Sequence, residues 1–280
     1  MKCPLTICKS IEDVFGRSIF LFLKYFIQMN TKITVVAMIA FITVGCNQEK
    51  DIEFSSESFT EKELPICKNS NCPEITINYV EVLGDEEVSE KINMRIKNFI
   101  FTSLLMGEDT IPTAKTIQEA ATGFIEIYNA DKAQFPDMAG DYFAEISVAE
   151  IYKSKDHLCF EMRQYLYTGG AHGYGTTSFI NIDPKTGEEL SSQKLFKNKK
   201  EFATFAEKKF RNEQKIAQDQ SINETGFWFE NEEFYLPESV GFTQDSIIFV
   251  YNQYDIASYA DGPIELKIAV KEAAPFLSIH

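Results

Sequence analysis

Histidine, tryptophan and basic residues are scarce in this chain of 280 residues. It has three histidines, one tryptophan, and 27 lysines and arginines against 42 aspartates and glutamates, which gives a formal charge of −15. Removing residues 1–45 takes away five bases and two acids, so the remainder carries 22 against 40, or −18. A body this acidic repels phosphate backbones, which argues against nucleic-acid binding, and it attracts cationic partners. Solubility of an exposed surface is the simpler explanation of the same charge.

The body also lacks a long hydrophobic run, an internal repeat of fixed period and a Gly-x-Ser-x-Gly motif. These absences disfavour a membrane-spanning body, a repeat protein and an α/β-hydrolase nucleophile. Neither His157 nor His280 stands at a ligand-type spacing from His172. Paired acids such as Glu188-Glu189 are frequent in any chain this acidic, so they do not indicate a glycosidase. The sequence therefore predicts no catalytic residue, no metal site and no cofactor.

One apolar run lies near the start, over residues 33–44. Its 12 residues are too few for a spanning helix but suit the core of a signal peptide. Small residues lead from this core to Cys46, which is typical of a lipobox; an incidental cysteine beside a membrane anchor is the alternative. We predict an over-extended gene start over residues 1–28, a lipoprotein signal peptide over 29–45, and acylation of Cys46. The protein would then be lipid-anchored in the cell envelope, at an outer membrane, facing the periplasm or the surface.

The six cysteines include a close pair in the body of the chain. Residues 46–66 are polar and acidic, and we expect a flexible tether there. Cys67 and Cys72 then enclose a polar loop, which in an exported protein indicates a disulfide. A zinc site is the alternative, but no second cysteine pair is present. Cys159 lies in a strand-like run, where we expect a buried free thiol.

Apolar residues alternate or follow helical spacing through the rest of the chain. Helical spacing begins at Asp85 and recurs over residues 116–129 and 201–217. We predict an α+β fold in which antiparallel sheets pack with helices, in two intimately joined subdomains, residues 67–168 and 169–280. The strand-like segments are residues 74–83, 141–152, 157–167, 176–183, 242–243, 246–251 and 264–270.

A glycine cluster separates two of these strands. Gly169, Gly170, Gly173 and Gly175 lie within seven residues, with His172 among them. Glycine adopts backbone conformations with positive φ that other residues avoid, so we expect a tight turn that presents the imidazole. His172 could act as a general base or a metal ligand, although a hydrogen-bonded turn residue is the simpler interpretation.

A second candidate site is the loop over residues 252–263. Tyr254 and Tyr259, with Asp255 and Gly262, would form an aromatic and acidic surface of the kind found at interfaces and sugar sites. Burial of one or two tyrosines against the sheet is the alternative. We expect this loop and the glycine turn to lie on one edge of a sheet in the C-terminal segment.

The motifs Tyr167-Thr-Gly-Gly-Ala-His-Gly173 and Asn181-Ile-Asp-Pro-Lys-Thr-Gly187, followed by Phe242–Tyr251 and Tyr254–Gly262, resemble the RsiV-like family of cell-envelope domains. The segment before them is similar to the companion N-terminal domain of that family. The resemblance implies a binding module for lysozyme-type muramidases or cell-wall glycan (peptidoglycan). An enzyme that hydrolyses or deacetylates cell-wall glycan with His172 at its centre, and a structural envelope component, are the alternatives.

Overall fold

A computed structural model of the protein describes residues 51–107, 110–137 and 140–279. These residues lie in one compact unit, and the α+β fold class is confirmed. The predictions for residues 1–50, including Cys46, fall outside the described residues, as does His280. Within the described ranges, no helix combines the length and apolar character needed to span a bilayer.

The structure has eight strands and five helices within the described ranges. The strands are β1 Glu53–Thr60, β2 Glu74–Leu83, β3 Phe143–Lys153, β4 Leu158–Tyr167, β5 Tyr174–Ile182, β6 Gly241–Phe242, β7 Ser246–Tyr251 and β8 Ile264–Ala269. The helices are α1 Glu86–Ser103, α2 Ile117–Gln134, α3 Ser192–Leu195, α4 Lys199–Glu213 and α5 Val270–Ala273.

The strands form a five-stranded sheet in the order β1-β2-β3-β4-β5 and a three-stranded sheet in the order β6-β7-β8. The predicted hairpin of β3 and β4 is confirmed as antiparallel. One pairing differs from the expected antiparallel arrangement, because β2 and β3 run parallel. The two helices α1 and α2 connect them, and such a long crossover lets the second strand start at the same end as the first.

The expectation of a flexible tether is wrong for the part that the structure describes. β1 pairs antiparallel with β2 along its whole length, with Glu53 opposite Leu83. The serines and glutamates of β1 hide the strand in the sequence, because an edge strand needs few buried side chains. Phe59 supplies one of them, and Ile52 just before β1 is also buried. The turn after β1 is fixed by Glu61, whose Oε2 accepts a hydrogen bond from the backbone of Ile75 at 3.0 Å.

The two long helices begin where the sequence predicts. Asp85 caps α1 by accepting a hydrogen bond from the backbone of Val88, and Thr116 caps α2 in the same way from Glu119. Asn93 fastens α1 to the sheet, because its side chain bonds both the N–H (2.8 Å) and the C=O (2.9 Å) of Val82. The buried apolar residues of α1 follow one face of the helix: Val88, Ile92, Ile96 and Ile100.

Aromatic side chains fill the space around the three-stranded sheet. Phe210 on α4 contacts four other rings, with centroids 5.2 to 5.9 Å away. Three of those rings come from the irregular segment between α4 and β6, so the rings organise a stretch without regular structure. The ring partners of Phe210 are Phe227, Phe229, Phe234 and Tyr251.

Side chains from the part of the chain after α4 cover the free edge of β5. Asn252 accepts a hydrogen bond from the N–H of Thr177 at 2.7 Å and donates to its C=O at 3.2 Å. Ser239 makes the same pair of bonds with Phe179, at 2.6 and 3.3 Å. Side chains thus take the place of a sixth strand and satisfy an edge that would otherwise invite pairing with another chain. They also bring the loop after β7 against the turn between β4 and β5.

Candidate functional site

The turn between β4 and β5 has a shape that its glycines require. Gly169 has a φ of +76°, in the left-handed region that favours glycine. Gly173 is closely packed, since a Cβ there would lie 2.5 Å from the ring of Tyr165 and 2.8 Å from the carbonyl oxygen of Leu166. Gly170 has open space around its Cα, and its carbonyl accepts a hydrogen bond from the Tyr167 hydroxyl at 3.1 Å. The turn is therefore held in one conformation.

His172 is exposed on this turn and both of its ring nitrogens are engaged. Nδ1 lies 3.1 Å from the carbonyl oxygen of Gly173, which can only accept, so Nδ1 carries the proton. Nε2 then accepts from the Tyr254 hydroxyl at 3.3 Å. The imidazole stacks on Tyr259 with ring centroids 3.6 Å apart, and the Tyr259 hydroxyl donates to the same Gly173 carbonyl at 2.9 Å. We call His172, Tyr254 and Tyr259 the ring surface.

The loop that supplies the two tyrosines is fixed by its own acids. Asp255 accepts a hydrogen bond from the backbone of Asn252 at 2.7 Å. Asp261 accepts from both the backbone and the hydroxyl of Ser258, at 3.1 and 2.6 Å. Gly262 has a φ of +70°, and Tyr254 adopts a φ of +71° although it carries a side chain. A non-glycine residue in this region is uncommon and is often found at functional sites.

The structure therefore brings all eight predicted binding residues into one neighbourhood. Their placement differs from the expectation in one respect, because the two loops do not share a sheet edge. The glycine turn belongs to the five-stranded sheet and the tyrosine loop to the three-stranded sheet. The loops meet because Asn252 and Gln253 bond the edge of β5, at Thr177 and Gly175.

Four exposed aromatic residues around the two loops were not predicted as part of the site. Trp228 is 46% exposed, and its backbone N–H donates to the carbonyl of Ile256 at 3.0 Å. Tyr235 donates from its hydroxyl to the carbonyl of Asp255 at 3.4 Å. Burial and then the charge of Asp255 raise the pKa of Tyr174 and of Tyr235. We call Tyr165, Tyr174, Trp228 and Tyr235 the aromatic rim.

A signal for this region was present in the sequence. Residues 216–266 contain ten aspartates and glutamates and no lysine or arginine. Three of the exposed rings, Trp228, Tyr235 and Tyr254, fall within this stretch. Residues 227–237 by themselves show an aromatic and acidic composition, but only the fold shows that they lie beside the tyrosine loop.

Other candidate groups have structural partners. Glu188 and Glu189 both pair with Arg95, at 3.3 and 3.5 Å, and Glu188 also lies 3.6 Å from Lys91. These acids therefore join the loop after β5 to α1. Across the described ranges, no three His, Cys, Asp or Glu side chains lie close enough together to hold a metal ion. The chemistry available at the ring surface is aromatic contact and hydrogen bonding.

The cysteines of the body are arranged as predicted. Cys67 and Cys72 form a disulfide with their Cα atoms 5.6 Å apart, so the zinc alternative is wrong for this pair. Cys159 is a buried free thiol that accepts a hydrogen bond from the backbone of Phe242 at 3.3 Å. Burial raises the pKa of this thiol to about 12, which keeps it protonated and unreactive.

Two family models match parts of the chain. Residues 192–271 match a family described as a protein of unknown function (DUF3298), and residues 66–174 match a family described as deacetylase PdaC. None of the curated proteins matches the sequence.

Two solved structures are similar over most of the body. A DUF3298 family member from Bacteroides fragilis NCTC 9343 is 22% identical with a TM-score of 0.63, and the match covers 82% of this chain and 94% of that one. A DUF3298 family protein from Pseudomonas aeruginosa PAO1 is 21% identical with a TM-score of 0.52, over 83% and 96% of the two chains. At these identities the likeness concerns the fold alone. This chain thus has the fold of DUF3298 structures, with sequence similarity to DUF3298 in its second half and to PdaC in its first.

Proposed function

We propose that this protein is a lipoprotein of the cell envelope, acylated on Cys46, whose body binds a lysozyme-type muramidase through the ring surface. One observation carries the binding role: exposed His172 stacks on half-buried Tyr259 and contacts exposed Tyr254, on two loops whose hydrogen bonds are already made. Side chains that are ordered before binding lose little conformational entropy when a partner arrives. Exposed, rigid tyrosines are the residues that protein interfaces use as anchors.

The charge around the ring surface favours a cationic partner. Asp255 lies beside Tyr254, and two residues of the aromatic rim, Trp228 and Tyr235, belong to a stretch of 51 residues with ten acids and no base. Such a field raises the association rate of a basic protein, by an amount that falls as salt screens it. Muramidases of the lysozyme type, which the RsiV-like resemblance implies, are typically strongly basic. Charge steers the partner, and the rings supply the specificity.

Calorimetry with a basic lysozyme at low and near-physiological salt tests this proposal. We expect binding that weakens but persists at the higher salt, and a loss of tenfold or more in affinity for Tyr254→Ala or Tyr259→Ala, as for interface anchors of about 2 kcal/mol. Met94→Ala is the matched control, since Met94 is as exposed as Tyr254 (both 51%) but lies on α1. Binding that vanishes with salt, or that cytochrome c shares equally, would refute a specific interface.

The lipid anchor needs a separate test, because Cys46 precedes the described residues. Incorporation of labelled fatty acid should be lost in Cys46→Ala and retained in Cys159→Ala, which removes a cysteine from the body. Unchanged labelling of the Cys46 variant would overturn the anchor while leaving the binding proposal intact.

A second candidate function is suggested by the match of residues 66–174 to a family described as a deacetylase. Under this hypothesis His172 would serve a reaction on cell-wall glycan. Release of acetate from N-acetylated peptidoglycan fragments, with and without added divalent metal, would be abolished by His172→Ala. The same fragments in the calorimeter test glycan as a ligand: if they bind and lysozyme does not, glycan is the partner. A structural envelope component would bind neither and would co-purify with other envelope proteins.

A further inference from the structure

A cavity lies away from the ring surface, where the five-stranded and the three-stranded sheet meet. It is bounded by the end of β3, the start of β4, β6 and α5, and its volume is about 280 Å³. His157 lies just before β4 and His172 beyond its end, so a strand of ten residues, about 30 Å, separates the two sites. An apolar cavity of about 150 Å³ is enough to hold benzene. The walls are Tyr152, His157, Phe242, Val270, Leu277 and Ile279.

His157 lines this cavity together with the polar residues Thr243 and Gln244, and its hydrogen bonding fixes its tautomer. The side chain is 2% exposed, and Nε2 lies 2.7 Å from Oδ1 of Asn181. The amide nitrogen of Asn181 donates to the carbonyl of Val240 at 2.8 Å, which identifies Oδ1 as the acceptor. Nε2 of His157 must therefore donate, and in a neutral imidazole Nδ1 is then an acceptor. Burial lowers the pKa of His157 and so keeps the ring neutral.

Nδ1 of His157 is left to face the cavity. It has no hydrogen-bond partner within the described ranges, where every fully buried side-chain nitrogen or oxygen does have one. Nδ1 is therefore not fully enclosed, and the space it can reach is the cavity that His157 lines. The rings of Tyr152 and Phe242 hold the imidazole in place, with centroids 5.2 and 4.9 Å away. A fixed acceptor thus points into a mainly apolar space.

We propose that this cavity binds a small uncharged molecule that has an apolar body and one hydroxyl or N–H group, which donates to Nδ1 of His157. The lining contains no lysine, arginine, aspartate or glutamate, so a charged ligand would be buried without a counter-charge. A carboxylate would also set its acceptor oxygens against an acceptor nitrogen. The apolar body would lie against Val270, Leu277 and Ile279. This site is independent of the function proposed for the ring surface.

Indole and benzothiophene are matched probes, because they have nearly the same shape and only indole carries an N–H. The full chain would be titrated with each probe while the methyl resonances of Val270, Leu277 and Ile279 are followed by NMR. We expect saturable shifts of these methyls and a preference for indole of about three- to tenfold, the value of one hydrogen bond. No saturable shift at millimolar probe, or equal affinity for the two probes, would overturn the proposal.

Two variants locate the site. His157→Phe keeps an aromatic ring at this position but has neither ring nitrogen, so it should bind both probes equally. Ala274→Trp should fill the mouth of the cavity and weaken both probes at least tenfold; Ala274 is exposed, so the added ring does not enter the core. Val270→Phe serves the same purpose if the tryptophan variant fails to fold. Probe affinities unchanged in the filling variants, or a persisting indole preference in His157→Phe, would place binding elsewhere and refute the proposal.

Discussion

The two halves of the molecule, one around each sheet, differ in the share of aromatic side chains in their cores. Around the five-stranded sheet the core consists mainly of aliphatic residues that regular elements bring together, since β2, β3 and α1 each present one apolar face. Around the three-stranded sheet aromatic rings make up a larger share of the core, and the rings of Phe227, Phe229 and Phe234 come from a segment without regular structure. The fully buried isoleucines of the first half include Ile75, Ile77, Ile100 and Ile146, and the buried rings of the second half include Phe202, Phe210, Phe229, Phe242 and Phe249.

This difference shows how an irregular segment can be held in one conformation. The small sheet has strands of only two, six and six residues, too few to order the long segment between α4 and β6 through backbone pairing. Large rings do so instead, because each buries much area and contacts several neighbours. Side-chain hydrogen bonds from Ser239 and Asn252 then attach this half to β5. The first half supplies the glycine turn with His172, and a loop of the second half supplies Tyr254 and Tyr259.

The largest loss of stability should come from removing a ring from the aromatic core. Phe210→Ala removes a fully buried ring that contacts four others, and we expect a loss of about 3–5 kcal/mol of unfolding free energy. Urea unfolding should be followed by the fluorescence of Trp228, the single tryptophan, and by circular dichroism, to which α1 and α2 contribute most. Both midpoints should fall together if the halves unfold as one unit. A shift in fluorescence alone would show that they are separate.

A smaller effect is expected from loosening the attachment between the halves. Asn252→Ala leaves the N–H and C=O of Thr177 without partners, which should cost about 1–3 kcal/mol. Asn78→Ala is the matched control, because Asn78 is an exposed asparagine on the same sheet. Thermal melts of the two variants provide the measurement. Equal melting temperatures for both would mean that the edge contacts add nothing to stability.

The glycine turn offers a comparison of neighbouring positions. Gly173→Ala would place a Cβ within 2.8 Å of the backbone of Leu166, and we expect a cost of about 1–3 kcal/mol as the turn shifts. Gly170→Ala meets no atom within 4 Å and should be close to neutral. Urea midpoints give the stability, and NMR shifts of His172 report whether the ring surface moves. A neutral Gly173→Ala would contradict the close packing described for this turn.

The smallest effect is a dependence on pH that comes from His157. Burial lowers its pKa in the folded state below the ordinary value of 6.5. Its contribution to stability is therefore complete above that value and is lost as pH falls through it towards the folded-state pKa. The urea midpoint should decrease between about pH 7.5 and about pH 5.5, less so in His157→Gln. Tyr152 and Phe242 contact the imidazole, and the hydrogen bond to Asn181 partly offsets the effect of burial on its pKa. An unchanged slope in the variant would contradict it.

Local patterns predict much of the fold. The spacing of Val88, Ile92 and Ile96 marks α1, and the close spacing of Cys67 and Cys72 marks the disulfide. β1 escapes prediction because its sequence is polar and only its pairing with β2 orders it. The parallel pairing of β2 with β3 is equally hidden, since it depends on the path of two helices and not on the strands themselves.

The candidate site, too, can be predicted only in part from the sequence. His172, Tyr254 and Tyr259 stand out in the sequence because glycines and acids surround them, but their contact depends on Asn252 reaching β5. Trp228 and Tyr235 are ordinary aromatic residues until the fold places them beside Asp255. The acceptor of His157 is invisible in the sequence, because only the bond between Asn181 and Val240 determines which ring nitrogen is free.

The five-stranded sheet separates the ring surface from the residue at which the chain enters the body. The chain enters the body at Ile52, whose carbonyl accepts a hydrogen bond from Lys153 at the far end of β3, whereas His172 lies at the opposite end of the sheet. Whatever precedes residue 51 is thus joined to the body about 30 Å from the ring surface, the length of a ten-residue strand. If Cys46 carries a lipid, the sheet becomes a rigid spacer. A partner at the ring surface would then bind one strand length away from the residue at which the anchored segment joins the body.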